Sequence, residues 1–118
     1  LRDKPSDFDV LSGDDGITQP MMALGAKGVI SVAANGYPDL FCKMVKSMMN
    51  VDVKTAIDIH YKTLKMNNLI FADGNPAGIK CLMAHQNLCK NVLRLPLVTV
   101  NENVENDLIN EFNVMYNK

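Results

Sequence analysis

The chain has 118 residues, of which 47% are hydrophobic and 21% charged, with a formal net charge of −1. That composition suits one globular domain, or a piece of a larger one, and it lacks the basic field that a nucleic-acid backbone demands. No apolar run approaches the roughly 18 residues of a membrane span, and Cys42, Cys81 and Cys89 form neither a disulfide framework nor a Cys-x-x-Cys zinc pair, reading instead as reduced thiols of a cytoplasmic protein.

Leu1 to Asp7 is polar, contains Pro5 and reads as a loop. Phe8 to Leu11 is apolar and predicts a strand that stops at Ser12, Gly13, Asp14 and Asp15. The two aspartates suit the start of the next helix, where carboxylates satisfy free N–H groups. That short helix spans Thr18 to Leu24, with Pro20 in its first turn and Gly25 as its stop. A second strand follows from Gly28 to Val32 after a crossover of about a dozen residues, the minimum for a parallel pair. Polar residues Ser12, Asp14, Asp15, Ser31 and Asn35 therefore fall at the carboxyl ends of two parallel strands, where ligands bind in α/β folds.

From Pro38 the apolar period changes to 3.6. Leu40, Phe41, Met44, Val45, Met48 and Met49 make one stripe, which reads first as core packing. Asp52 caps a third helix with Val53, Ala56, Ile57, Tyr61 and Leu64 on one side, and the two predict an antiparallel hairpin. Asp73-Gly74-Asn75-Pro76 is turn chemistry, with Asn75 as cap of a helix that buries Ile79, Leu82 and Met83. Leu93 to Val100, interrupted by Pro96, reads as an extended loop packed on the body. A last helix from about Val104 to Tyr116 buries Val104, Leu108, Phe112 and Met115.

Two parallel strands leave two open edges and cannot bury both faces. With Leu1 in place of a starting Met, the chain reads as the C-terminal part of a longer α/β protein. The isolated residues carry less chemistry than their number suggests. Capping outweighs an acid–base role for Asp14 and Asp15. Gly13 to Gly16 lacks the alternating ligands of a calcium loop, and Gly25 to Gly28 lacks the spacing of a phosphate loop. His60 and His85 each stand alone, and an ion pair or carbonyl contact is the simplest role for Arg94.

Four motifs in order, Leu11-Ser12-Gly13-Asp14-Asp15, Gly25 to Val32, Asn75-Pro76 with Lys80, and Leu93-Arg94-Leu95-Pro96-Leu97, resemble the C-terminal portion of the 4-hydroxy-tetrahydrodipicolinate synthase (dihydrodipicolinate synthase) family. The resemblance implies an α/β fold: strands seven and eight of a (β/α)8 barrel over residues 1–50, then a helical C-terminal region over 51–118. It implies a cytoplasmic homotetrameric lyase without a cofactor or metal. That enzyme condenses pyruvate with aspartate semialdehyde through a lysine Schiff base, in diaminopimelate and lysine biosynthesis. The Schiff-base lysine and the proton-relay residues fall before Leu1, so no catalytic residue is expected in this chain. Ile30 matches the residue whose backbone contacts pyruvate, with Gly13 at the facing strand end. Asp14 and Asn75 match positions on the semialdehyde side. Gly78 departs from the pattern, which favours proline there. N-acetylneuraminate lyase or another pyruvate-dependent aldolase is the near alternative; a non-catalytic helical interaction fragment is the distant one.

Overall fold

The computed structural model describes residues 1–117. They form two compact units, the first Leu1–Tyr61 and the second beginning at Lys62.

In the first unit, β1 (Leu11–Ser12), α1 (Thr18–Ala23) and β2 (Gly28–Val29) make a strand–helix–strand crossover. The strands are parallel, with Leu11 opposite Gly28 and Ser12 opposite Val29. Both are shorter than their apolar runs. Pairing is extended only by Lys27 N–H on the Val10 carbonyl (2.9 Å) and Ile30 N–H on the Ser12 carbonyl (2.9 Å), and Phe8 is exposed. A 3₁₀ turn (Ala33–Asn35) then leads into α2 (Pro38–Met49), which starts on Pro38 as expected. The helix buries Phe41 and Met44, and the Tyr37 and Phe41 rings meet edge to face at 6.3 Å.

α2 packs mainly on the 3₁₀ turn and α1, in place of the expected hairpin with α3 (Val53–Leu69). Asp52 does accept from Thr55 N–H (3.2 Å) at the start of α3. The buried stripe of α3 is nevertheless Ala56, Ile59, Thr63, Met66 and Asn67, while Ile57 and Tyr61 are exposed. Two stripes compete at helical spacing, and the one with more apolar residues is not the one that packs; the buried one carries Thr63 and Asn67.

Three helices end alike. After α1 the N–H of Ala26 reaches back to the Met21 carbonyl; after α2, Asp52 reaches Ser47; after α4 (Ala77–His85), Leu88 reaches Met83. Each closure needs a left-handed residue one position earlier. Gly25 (φ 107°), Val51 (φ 61°) and Asn87 (φ 61°) fill that place.

In the second unit α4 packs on α5 (Glu102–Tyr116). Ile79, Cys81, Leu82, Leu108, Phe112 and Met115 form the core, and Phe112 sits 4.7 Å from the Tyr116 ring. Asn101 caps α5 by accepting from Val104 N–H (3.1 Å). Asp73 Oδ2 accepts from the backbone N–H (2.8 Å) and side-chain amide (2.6 Å) of Asn101, holding that cap in place. Lys65 pairs with the nearly buried Glu111 at 2.6 Å. Leu93 to Val100 is irregular as expected, but most of it lies open: Leu95 is 86% exposed and only Val100 is buried. No described helix is long and apolar enough to cross a membrane.

Candidate functional site

The carboxyl ends of β1 and β2 are tied by a small polar network. Ser12, fully buried, donates through Oγ to the Asp14 carbonyl (2.7 Å) and accepts from Asp14 N–H (3.2 Å). Thr18, also buried, donates to the same Asp14 carbonyl (2.8 Å). The chain thus folds back on itself immediately after β1, which fixes Gly13 at the strand end. A methyl group at Gly13 would meet nothing within 4 Å, so the space over this end is open.

Asp14 and Asp15 diverge. Asp14 Oδ1 accepts from Gly16 N–H (2.7 Å), closing a local turn on the surface. Asp15 is 2% exposed, and its Oδ2 accepts from Val32 N–H (3.1 Å) and Ala33 N–H (2.9 Å), beyond the end of β2. Neither caps α1, whose N-cap residue Ile17 makes no side-chain bond. The expected capping role is corrected on that observation: the donors nearest in sequence lose to the two free amides at the start of the 3₁₀ turn. The divergence also removes any paired-carboxyl acid–base reading.

Ile30 follows β2 with its side chain 71% exposed. Its N–H is committed to the Ser12 carbonyl, so the backbone group it can offer a ligand is its own carbonyl oxygen. Next to it, Ser31 Oγ accepts from Ala34 N–H (2.8 Å). Gly13, Asp14 and Ile30 therefore gather at the strand ends of the first unit. Asn75 lies in the second unit, exposed in the turn between α3 and α4. It does not cap α4: the N-cap position is Pro76 and carries no side-chain bond.

A cleft of about 450 Å³ in the first unit is lined by apolar residues including Leu11, Val29, Phe41, Val45 and Met49. None of the four candidate residues lines it. In the second unit Lys80 and Arg94 line a cleft of about 540 Å³, where the Lys80 ammonium donates to the Val92 carbonyl at 2.5 Å. Lys80 is thereby occupied in holding the chain after α4 and is poorly placed as a nucleophile. Among the described residues, no three His, Cys, Asp or Glu side chains converge as metal ligands.

Sequence reasoning missed Ser12 and Thr18 as the clamp on the first strand end, and the role of Asp15. A Ser just before a glycine turn, whose hydroxyl can bond the backbone two residues on, was the available signal for the clamp. No local signal announces Asp15, whose partners lie 17 and 18 residues away.

A parallel strand–helix–strand crossover with its polar groups at the strand carboxyl ends is the building unit of parallel α/β folds, the (β/α)8 barrel among them. Known proteins place it further. The chain belongs to the dihydrodipicolinate synthetase family, whose model matches residues 1–113. It is 48% identical over 98 residues to the 4-hydroxy-tetrahydrodipicolinate synthase of Phocaeicola vulgatus, covering 83% of this chain and 33% of that protein. Among solved structures, dihydrodipicolinate synthase from Aquifex aeolicus superposes with a TM-score of 0.90 at 38% identity, over 98% of this chain and 39% of the other. The chloride-inhibited enzyme of Acinetobacter baumannii, complexed with pyruvate, gives 0.88 at 29% identity, over 92% of this chain and 38% of the other. The chain thus spans about a third of the length of the curated relatives it matches. Its fold is that of the C-terminal part of a (β/α)8 barrel, strands seven and eight with their helices, plus a helical C-terminal region.

Proposed function

We propose that this chain serves in a synthase that condenses pyruvate with aspartate semialdehyde, on the route to diaminopimelate and lysine. Residues 1–50 complete the barrel wall and residues 51–118 form the appended helices of a cytoplasmic homotetramer. The observation that carries the reading is family membership along 113 residues, joined to a strand-end site in which the Ile30 carbonyl accepts no backbone hydrogen bond among the described residues.

The chemistry needs a lysine amine that is deprotonated by its surroundings and attacks the pyruvate ketone, losing water to give an iminium. The iminium acidifies the adjacent methyl group; loss of a methyl proton to a base gives the enamine, whose carbon attacks the aldehyde, and the alkoxide so formed takes up a proton. The lysine comes from outside these residues. This chain's share is recognition. The Ile30 carbonyl is an acceptor suited to the iminium N–H or to a substrate hydroxyl, and Gly13 leaves room at the facing strand end. Asp14, beside Gly13, borders the semialdehyde side.

A turnover assay on the full-length protein that carries this chain tests the reading against its nearest alternative. Consumption of pyruvate with aspartate semialdehyde, and no cleavage of N-acetylneuraminate, is expected. Cleavage of N-acetylneuraminate without semialdehyde turnover would assign the chain to the lyase instead.

A further inference from the structure

Asp15 spends its side chain neither on the helix that follows it nor on Asp14. It bridges from the end of β1 to the amides at the start of the 3₁₀ turn that follows β2, with Oδ2 3.1 Å from Val32 N and 2.9 Å from Ala33 N. Burying a carboxyl group is costly unless bonds repay it. Here the group is 2% exposed and its Oδ1 has no hydrogen-bond partner among the described residues. The 3₁₀ turn it serves has no side-chain bond from its own N-cap residue, Val32. Those amides would otherwise be orphaned, and Asp15 supplies the missing cap from across the sheet.

The consequence falls on Ile30. Its N–H is pinned to Ser12 on the amino side, and Asp15 pins Val32 and Ala33 two and three residues later on the carboxyl side. The Ile30–Ser31 peptide, and with it the direction of the Ile30 carbonyl, hangs between two fixed points that both originate in the Ser12–Asp15 segment. We propose that Asp15 is a positioning residue for pyruvate: it acts through the turn it caps to aim the Ile30 carbonyl, and touches no substrate itself. This rests on the reading of Ile30 as the pyruvate contact.

The test uses the full-length protein that carries this chain, with Asp15→Ala and Asp15→Asn. Asp15→Ala removes the acceptor, whereas Asp15→Asn keeps an oxygen at the same place. Misplacement of a binding group by a fraction of an ångström weakens its use severalfold or more, so Asp15→Ala raises the KM for pyruvate about 10- to 100-fold while the KM for aspartate semialdehyde stays near its starting value. Asp15→Asn recovers most of the pyruvate KM. Amide hydrogen exchange over residues 30–34, measured without substrate, accelerates in Asp15→Ala and not in Asp15→Asn.

Unchanged exchange in Asp15→Ala overturns the capping role whatever the enzyme's substrate proves to be. Faster exchange with an unchanged pyruvate KM, or with both KM values and kcat shifted together, overturns the positioning role and leaves the proposed reaction standing. A wild-type protein that does not turn over pyruvate ends the functional reading, and the inference falls with it.

Discussion

Gly78 and Ile70 meet backbone to backbone in the second unit. A methyl group at Gly78 would sit 2.8 Å from the Ile70 Cα and 2.7 Å from its carbonyl carbon, and would contact the carbonyl oxygen as well. None of these atoms is the end of a flexible side chain, so nothing can yield cheaply. Gly78 N–H also donates to the Gly74 carbonyl (3.3 Å), which a proline could not do. Glycine at this position is thus built into the packing of this chain. Gly78→Ala is expected to destabilise the second unit by about 1–3 kcal/mol, the usual cost of overpacking a closed contact. Urea denaturation of the full-length protein that carries this chain, wild type and variant, checks it, and an unchanged midpoint would mean that the two segments are free to part.

Val51 closes α2 in a left-handed conformation that its β-branched side chain resists. The same closure is made by Gly25 after α1 and by Asn87 after α4, residues that accept it readily. Val51 is 81% exposed, so its side chain gives little packing in return. Val51→Gly and Val51→Asn are each expected to stabilise the first unit by about 1 kcal/mol. Melting temperatures of the full-length protein that fall for both variants would contradict the strain.

Burial holds the His60 imidazole below its ordinary pKa of 6.5. The unfolded chain therefore binds a proton that the folded chain refuses, over the window just below that value. Stability from this group is complete above pH 6.5 and is lost as pH falls through 6.5 towards the depressed folded pKa. Denaturation midpoints of the full-length protein between about pH 7.5 and about pH 5.5 should decline in wild type and decline less in His60→Gln.

Much apolar surface is left open in the chain taken alone. Leu11, Ile30, Leu95 and Val98 are 46%, 71%, 86% and 67% exposed, and the sheet has two strands of two residues each. Such a sheet has both edges unpaired and too little buried area for independent order. A circular dichroism melt of the 118-residue chain is expected to be broad, with strong binding of a hydrophobic dye. A sharp transition from a soluble monomer would favour the non-catalytic interaction module.

Element order was readable from the residues because apolar period and helix-stop chemistry are local. Gly25 ended α1, Pro38 opened α2, and the parallel pairing of the two strands followed from the crossover length. What was not readable depended on distant partners. Asp15 resembles a helix cap until the amides of Val32 and Ala33, which it bonds instead, are seen beside it. Asn75 likewise yields to Pro76 at the start of α4, and Asp73, one of the turn residues, reaches Asn101. In α3 the stripe that packs includes Thr63 and Asn67, so hydrophobicity alone chooses the wrong face. Of the four candidate residues, three come together at the strand ends of one unit. Placing polar residues at the carboxyl ends of parallel strands reached Asp14; Gly13 and Ile30 came from the resemblance to the family.

The most direct test is reductive trapping. The full-length protein that carries this chain is incubated with pyruvate and borohydride, digested, and searched for a modified lysine. A pyruvate adduct is expected on one lysine outside residues 1–118, with Lys27 and Lys80 unmodified. No adduct, or an adduct on a lysine of this chain, would contradict the account.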